Sequence, residues 1–219
     1  MADQFSVSAE VRIVLVDDHK MVRHALAQLL DDQPGIEVVG QAGDGFEAAR
    51  AVAEHRPDVL VLDYTIPGGS MPLIEALSKE SESPRIVVLT VHESIHYAVR
   101  VLEAGALAYV VKSEATEELV AALHAVHRDE VYISPKVSGR VLAQLRKPRK
   151  ERLGLASLSP REFELLCLMG AGLSVVDAAK RLHIGTSTAS TYRTRLMEKL
   201  ALSSTAELIR FAIEQDLVG

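Results

Sequence analysis

The first 130 residues alternate short apolar runs with amphipathic stretches, and this alternation restricts the fold more than any other feature of the sequence. Runs rich in Val, Ile, Leu and Ala predict five strands, at 13–16, 36–42, 59–62, 86–89 and 108–111. Such nearly continuous apolar runs are typical of parallel strands that helices cover on both faces. Helices are predicted between and after them, near 20–31, 45–55, 72–79, 94–103 and 117–127. We therefore expect an α/β domain with a doubly wound, five-stranded parallel sheet.

The pattern changes after about residue 128, where the predicted strands end. One more helix is predicted over 135–145, and the basic segment 146–152, which contains a proline, has the composition of a linker. From Ser159 onward, capping sequences at Ser159, Ser174 and Ser204 predict the starts of short helices. We expect three parts: an α/β domain over 11–128, a linker helix and basic tether over 129–156, and a small all-α domain over 157–219.

Charge differs strongly between the two predicted domains. Residues 1–130 contain 10 Lys and Arg against 22 Asp and Glu, whereas residues 131–219 contain 14 against 8. The net charge of −6 for the whole chain hides this division. The basic C-terminal part is therefore the better candidate for binding a polyanion such as DNA.

Composition also indicates where the protein works. The 219 residues include one cysteine, Cys167, so no disulfide can form within the chain and a reducing cytoplasm is the expected location. No apolar run approaches the roughly 20 residues of a membrane span, and the N-terminus lacks the pattern of a secretory signal. Cys167 lies on the apolar face of a predicted helix, which favours a buried structural thiol over a redox sensor.

Polar side chains follow four of the five predicted strands directly. Asp17 and Asp18 follow the first strand, Asp63 the third, Thr90 the fourth and Lys112 the fifth. The carboxyl ends of parallel strands meet at one edge of a sheet, so these five side chains are expected to converge there. Each of them singly would be an ordinary turn, cap or surface residue, but the set at matching strand ends indicates a site.

The chemistry of such a set is that of a metal and a phosphate. Clustered carboxylates repel one another, and Mg²⁺ relieves the repulsion because it prefers oxygen ligands. A carboxylate can attack phosphorus and form an acyl phosphate. Asp63 is alone at its strand end and is the expected nucleophile, while the Asp17–Asp18 pair is better suited to hold Mg²⁺. Lys112 adds a positive charge for phosphate oxygens.

Four segments carry a family resemblance: VDDH (16–19), LDYTIPG (62–68), LTV (89–91) and YVVKS (109–113). They resemble the receiver domain of response regulators over about residues 11–128. The resemblance implies the strand order 2-1-3-4-5, Asp63 as phospho-acceptor, and a sensor histidine kinase as partner. It also implies the backbone carbonyl of Thr65 as a metal ligand beside Asp17, Asp18 and Asp63. Thr90 and Lys112 would sense the phosphate.

Other residues near the expected pocket are less clearly assigned. Tyr109 matches the switch aromatic of the family, and a plain sheet-edge aromatic is the competing interpretation. His19, His92 and His96 border the same edge without a metal-binding spacing, and we interpret them as loop residues. The loop from residue 68 reads GGSMPLIEAL, which we interpret as carrying a small insertion, and lacks the family's acidic-glycine pair. Tyr64 is bulky for the position after an acceptor.

The segment 159–214 resembles the helix-turn-helix domain of the NarL/FixJ subfamily, which is related to the LuxR-type module. By that resemblance 175–182 is the supporting helix and about 187–200 is the recognition helix, with double-stranded promoter DNA as the ligand. Helical spacing directs Ala189, Tyr192, Leu196 and Leu200 to the core. The predicted DNA-contacting residues are Ser187, Thr188, Ser190, Thr191, Arg193, Thr194, Arg195 and Lys199.

The subfamily resemblance also implies how the two domains are coupled. The unphosphorylated receiver is expected to obstruct the recognition helix, and phosphorylation to release it, with Thr90 moving toward the phosphoryl group and Tyr109 following. The released protein would bind DNA as a homodimer, and contact with RNA polymerase stays open. The helix from Ser204, with Leu208, Phe211 and Ala212 in a stripe, is a candidate dimer contact; core packing is an equal alternative.

Three other functions compete with this interpretation. An aspartate-dependent phosphatase would place its nucleophile after the first strand, with a second Asp two residues later, which this sequence does not do. A small-molecule receptor fused to the same DNA module would need an aromatic-rich cavity, whereas this chain has no Trp and 4% aromatic residues. A receiver-like regulator that works without phosphorylation is the third, and the unusual loop after Pro67 keeps it open.

Overall fold

The computed structural model describes residues 10–146, 155–215 and 217. Its sheet contains the five predicted strands, all parallel: β1 Val11–Val16, β2 Ile36–Ala42, β3 Val59–Asp63, β4 Arg85–Thr90 and β5 Ala108–Val111. They have the expected order β2-β1-β3-β4-β5. The doubly wound α/β architecture predicted from the apolar runs is confirmed.

The strand count was too low by one. A short sixth strand, β6 Tyr132–Ile133, pairs in parallel with β5 at the edge of the sheet. The expectation that strands end near residue 128 is therefore wrong. Two residues give no recognisable apolar alternation, and this strand forms because the backbone N–H of Tyr132 donates to Leu107 and that of Ser134 to Tyr109.

Helices cover both faces of the sheet. Successive side chains of a strand point to opposite faces, so Ile13 and Leu15 pack with one set of helices, and Val14 and Val16 with the other. The first set is α1 Lys20–Asp31 and α5 Ala115–His127, and the second is α2 Gly45–His55, α3 Ser70–Leu77 and α4 Ile95–Glu103. Both faces of the central strands are consequently buried, which explains why these strands are apolar throughout.

The predicted linker helix is present and belongs to the first domain. Helix α6 Pro135–Leu145 packs against α4, with Val137 and Val141 fully buried. Lys136 pairs with Glu93 at 2.5 Å across the same contact. Most of the predicted basic tether, 147–152, lies outside the described residues.

The second domain contains four helices: α7 Pro160–Gly170, α8 Val175–Arg181, α9 Thr186–Lys199 and α10 Thr205–Glu214. A 3-10 turn, Leu155–Ser157, precedes them. The three predicted caps form, because the hydroxyls of Ser159, Ser174 and Ser204 accept the backbone N–H groups of Glu162, Asp177 and Glu207. None of the described helices has the length and apolar character that crossing a membrane requires.

The two domains are in contact through α4 and α7. Arg100 of α4 donates hydrogen bonds to the carbonyls of Leu155 (2.9 Å) and Leu158 (2.7 Å). Its guanidinium lies 4.5 Å from the centre of the Phe163 ring, and Tyr97 meets the same ring edge-on at 5.1 Å. The junction is therefore a packed aromatic contact that includes direct hydrogen bonds.

Candidate functional site

The five predicted pocket residues lie at one edge of the sheet. In the strand register Val16 is opposite Leu62, Asp63 is opposite Leu89, and Thr90 is opposite Val111. The residues that follow or end these strands therefore emerge side by side. Asp17, Asp63 and Thr90 are each at most 5% exposed, although all three are polar.

Lys112 connects the two buried carboxylates. Its Nζ lies 2.7 Å from an oxygen of Asp17 and 3.2 Å from an oxygen of Asp63. Burial raises the pKa of the Asp63 carboxyl from 3.8 to about 6; the positive charge of Lys112 opposes this shift and the negative charge of Asp17 adds to it. The carboxylate that the sequence designates as nucleophile is thus enclosed, yet close to a cation.

The carboxylates also have the arrangement of a cation site. Ligand atoms of Asp17, Asp18, His19 and Asp63 lie within 4.8 Å of one another. The oxygen-rich donor set fits Mg²⁺, a hard cation. His19 lies in the loop between β1 and α1, as predicted, and its Nδ1 is 2.7 Å from an oxygen of Asp18, a contact that was not predicted. Position directly after two aspartates was the only signal in the sequence.

The unusual loop after Pro67 is organised by a residue that the sequence did not single out. Ser70 is fully buried, and its hydroxyl contacts the backbone carbonyls of Asp63, at 2.8 Å, and Tyr64. Gly68 and Gly69 precede it with φ of 87° and 84°, a region that glycine adopts at little cost. The two glycines therefore allow the turn that directs Ser70 back to the acceptor strand.

Thr90 and Tyr109 are neighbours, as the switch pair requires. Tyr109 is fully buried, and its hydroxyl donates to the backbone carbonyl of His92 at 2.7 Å. Burial raises the pKa of Tyr109, and a hydrogen bond from Thr90 opposes the shift. Tyr109 is therefore an interior side chain, and its role as the switch aromatic stays a prediction.

Helix α9 carries the predicted reading face on its open side. Ser187, Ser190, Thr191 and Thr194 are exposed, while Ala189 and Leu196 are fully buried as predicted. Tyr192 and Leu200 are half-buried against the same core. The hydroxyls of Thr191 and Thr194 donate to the carbonyls of Ser187 and Ser190 one turn earlier, each at 3.1 Å. Their methyl groups and oxygen lone pairs are what remains for a ligand.

The long basic side chains of α9 differ in their availability. Arg195 is exposed, as is Thr188 near the helix start. Lys199 instead pairs with Glu162 of the α7 capping box at 2.6 Å. Arg193 donates to the Thr205 hydroxyl at the start of α10 at 3.0 Å. Of the three basic residues among the predicted DNA contacts, two are thus engaged within the domain.

Two further expectations about this domain are decided by burial. Leu208 and Ala212 of α10 are fully buried and Phe211 is half-buried against the core, so this stripe packs inside the domain; Ile213 is its exposed apolar residue. Cys167 is 5% exposed and burial raises its pKa to about 12, which agrees with a structural thiol.

The first domain does not bury the reading face of α9. Its contacts reach α7 and α8 instead, through Tyr97, Arg100 and the cavity between Tyr64 and Leu182. The obstruction that the resemblance implies therefore does not take the form of direct burial of α9, and it stays a prediction. The reason is geometric: Phe163 of α7, rather than a residue of α9, is the ring that packs on α4.

The chain combines an acidic pocket at the carboxyl ends of a six-stranded parallel sheet with a helix-turn-helix domain. This combination defines a class of protein, a receiver coupled to a DNA-binding module. Residues 13–124 match the response regulator receiver domain family, and residues 156–212 match the bacterial regulatory proteins of the luxR family. The chain belongs to the NarL/FixJ family of two-component response regulators, whose members act with a histidine kinase and bind DNA to regulate transcription.

The sequences of individual relatives match nearly the whole chain. The transcriptional regulatory protein LiaR of Bacillus subtilis is 37% identical over 212 residues, which are 95% of this chain and 100% of LiaR. The oxygen regulatory protein NreC of Staphylococcus epidermidis is 36% identical over 217 residues, 95% of this chain and 99% of NreC. A solved structure of two RcsB dimers bound to two parallel DNAs is 25% identical, with a TM-score of 0.58, over 93% of this chain and 98% of that chain.

Proposed function

We propose that Asp63 accepts a phosphoryl group from a phosphohistidine of a sensor histidine kinase, and that this modification controls DNA binding. The observation that carries the proposal is the position of Lys112 between two buried carboxylates, 2.7 Å from Asp17 and 3.2 Å from Asp63. A half-buried cation at this place can neutralise a phosphoryl group that is attached to Asp63.

In the transfer, a carboxylate oxygen of Asp63 attacks phosphorus, the phosphorus–nitrogen bond of the donor breaks, and the histidine of the kinase leaves with a proton. The product is an acyl phosphate. Lys112 lies near the oxygens that gain negative charge, and the backbone N–H of Thr65 already donates to the Asp63 carboxylate. The chain's own groups thus stabilise charge at the reacting carboxylate.

Asp17, Asp18 and Asp63 would hold Mg²⁺, with the backbone carbonyl of Thr65 as the ligand that the family resemblance implies. When bound, the ion neutralises charge on the transferred group. Both carboxylate oxygens of Asp17 are held in position at this site. One accepts a hydrogen bond from the backbone N–H of His19 at 2.7 Å, and the other lies 2.7 Å from the Nζ of Lys112.

Phosphorylation would then loosen the contact between α4 and α7. The path from Asp63 is short: Thr90 is next to Tyr109, and the hydroxyl of Tyr109 donates to the backbone of His92, whose ring stacks on Tyr97 at 4.5 Å. A shift of Thr90 and Tyr109 toward the phosphoryl group displaces this stack. The freed domain would bind promoter DNA through α9 as a homodimer, an arrangement that the similar RcsB–DNA structure supports.

Intact-mass measurement after incubation with acetyl phosphate and Mg²⁺ tests the acceptor. The native chain is expected to gain one acid-labile phosphoryl mass, and Asp63→Asn to gain none. Asp129→Asn is the matched control, because Asp129 is exposed and has φ of 60°, which asparagine tolerates. An unlabelled native chain would favour the alternative of a regulator that works without phosphorylation, and a labelled Asp63→Asn would show that another residue is the acceptor.

A further inference from the structure

A cavity opens between the two domains, directly beside the acceptor strand. We call it the interdomain cavity; it is lined on the receiver side by Tyr64, Val91 and His92, and on the other side by Leu168, Arg181 and Leu182. Its volume is about 110 Å³, and its mouth is open to solvent. Its walls come from two domains, so an occupant contacts both.

The floor of the cavity contains an unsatisfied donor. Tyr64 is 4% exposed, and within the described part of the chain its hydroxyl has no hydrogen-bond partner. Buried hydroxyls nearly always find a partner, because an unmade hydrogen bond in an enclosed place is unfavourable. The nearby carboxylate of Glu164 is already paired with Arg161 at 2.7 Å. An acceptor from outside the chain is what this hydroxyl lacks.

The mouth of the cavity contains an unbalanced positive charge. Arg161 and Glu164 neutralise each other, whereas no carboxylate of the described residues pairs with Arg181. Arg181 acts on His92 across the cavity, where burial and this charge lower the pKa of the histidine. His92 is therefore neutral near pH 7, and the cavity carries one surplus positive charge.

From this geometry we propose that the interdomain cavity binds a small monocarboxylate with an apolar body. The apolar body fills the space between Val91, Leu168 and Leu182. The carboxylate pairs with Arg181, and one of its oxygens accepts a hydrogen bond from the Tyr64 hydroxyl. Water alone would leave the walls, which are mainly apolar, without favourable contacts. A neutral hydrocarbon fits poorly too, because Tyr64 would stay unsatisfied.

Such a ligand would favour the arrangement in which the domains are docked, because only that arrangement offers both walls. Binding itself is independent of the phosphorylation proposed above. Its regulatory consequence rests on that proposal: if docking opposes DNA binding, the ligand lowers the affinity of the chain for promoter DNA.

The test uses the full-length, unphosphorylated chain without DNA or phosphoryl donor. Benzoate, phenylacetate and indole-3-acetate are titrated by saturation-transfer NMR, each beside its neutral amide. At least one carboxylate is expected to bind saturably with a Kd below about 1 mM, and its amide to bind at least about tenfold more weakly. Absence of saturable binding up to about 10 mM for all three, or equal binding of acid and amide, would overturn the proposal.

Variants then locate the site. Tyr64→Phe and Arg181→Gln are each expected to raise the Kd by about tenfold, and Arg181→Lys to restore part of the loss. Arg210→Gln is the control, because Arg210 is 72% exposed and lies on α10, outside the cavity lining. Circular dichroism melting of each variant checks folding. A Kd that neither Tyr64→Phe nor Arg181→Gln changes would show that the carboxylate binds elsewhere and would refute the interdomain cavity as its site.

Discussion

The acidic pocket and the reading face of α9 serve the same regulator, and they are built in opposite ways. In the pocket, Asp17 and Asp63 are almost completely buried and Lys112 bridges them. On α9, by contrast, Ser187 and Ser190 are exposed. The charged side chains of the pocket are thus already paired within the chain, whereas the reading face becomes specific only when DNA supplies its partners.

This difference teaches where a substitution is expected to act. A buried group has protein partners that lose a hydrogen bond or a packing contact when the group is replaced. Its replacement therefore affects stability or reaction rate strongly. An exposed group contacts solvent when no ligand is bound, so its replacement changes the affinity for the ligand and leaves the stability of the fold nearly unchanged. The junction between the domains is enclosed like the pocket and should respond in the same way.

Phe163→Ala should have the largest effect. The ring is fully buried between Arg100 and Tyr97, so its removal leaves a cavity in both the domain core and the junction. We expect the free energy of unfolding of the DNA-binding domain to fall by about 3–5 kcal/mol, measured by urea titration. Phe46→Ala, whose ring is 80% exposed, is the control and should change it by less than about 0.5 kcal/mol. Similar small losses for both variants would contradict the enclosed junction.

Lys112→Ala should follow. Its removal leaves Asp17 and Asp63 without the cation between them and removes the charge that receives the phosphoryl oxygens. The rate of phosphorylation by acetyl phosphate with Mg²⁺ is expected to fall about 100-fold. Lys79→Ala, at an exposed position at the end of α3, should keep the native rate. If Lys112→Ala also reacts at the native rate, phosphorylation does not depend on the contacts of Lys112 with Asp17 and Asp63.

Arg100→Ala probes whether the junction restrains DNA binding. Two hydrogen bonds and the contact with the Phe163 ring are lost, so the docked arrangement weakens. We expect the unphosphorylated chain to bind promoter DNA about tenfold more tightly in gel-shift titrations. Arg85→Ala, which removes an ion pair with Asp129 at the far side of the sheet, is the control. Unchanged affinity in Arg100→Ala would mean that docking through α4 and α7 does not oppose DNA binding.

Arg195 and Lys199 give the smallest and sharpest contrast, because both are basic and lie on the same helix. Arg195→Ala is expected to reduce the slope of log affinity against log salt by about one unit, since an exposed arginine can contact a phosphate. Lys199→Ala should leave that slope unchanged and cost about 1 kcal/mol of stability, because Lys199 pairs with the buried Glu162. The reverse pattern in salt titrations and urea melts would show that Lys199 leaves Glu162 to bind DNA.

Much of this protein could be predicted from the sequence alone. The five long strands and their parallel pairing follow from apolar runs that are buried on both faces, whereas their order was implied by the family resemblance. The caps at Ser159, Ser174 and Ser204 follow from local hydrogen bonding. The convergence of Asp17, Asp63 and Lys112 follows from topology, because each residue directly follows or ends a strand. The strands and caps depend on periodicity and on contacts between residues that are close along the chain, and the convergence depends on the rule that parallel strands end at one edge of a sheet.

The tertiary structure decided what depends on contacts between distant residues. Strand β6 exists because β5 offers it backbone partners, and Ser70 reaches the carbonyl of Asp63 because two glycines permit the turn. Lys199 is paired because α7 brings Glu162 to it. The burial of Tyr64 at the junction likewise requires both domains. Short-range patterns record which residues prefer a helix, a strand or a cap, but a pairing across 37 residues is set only when packing brings both partners together.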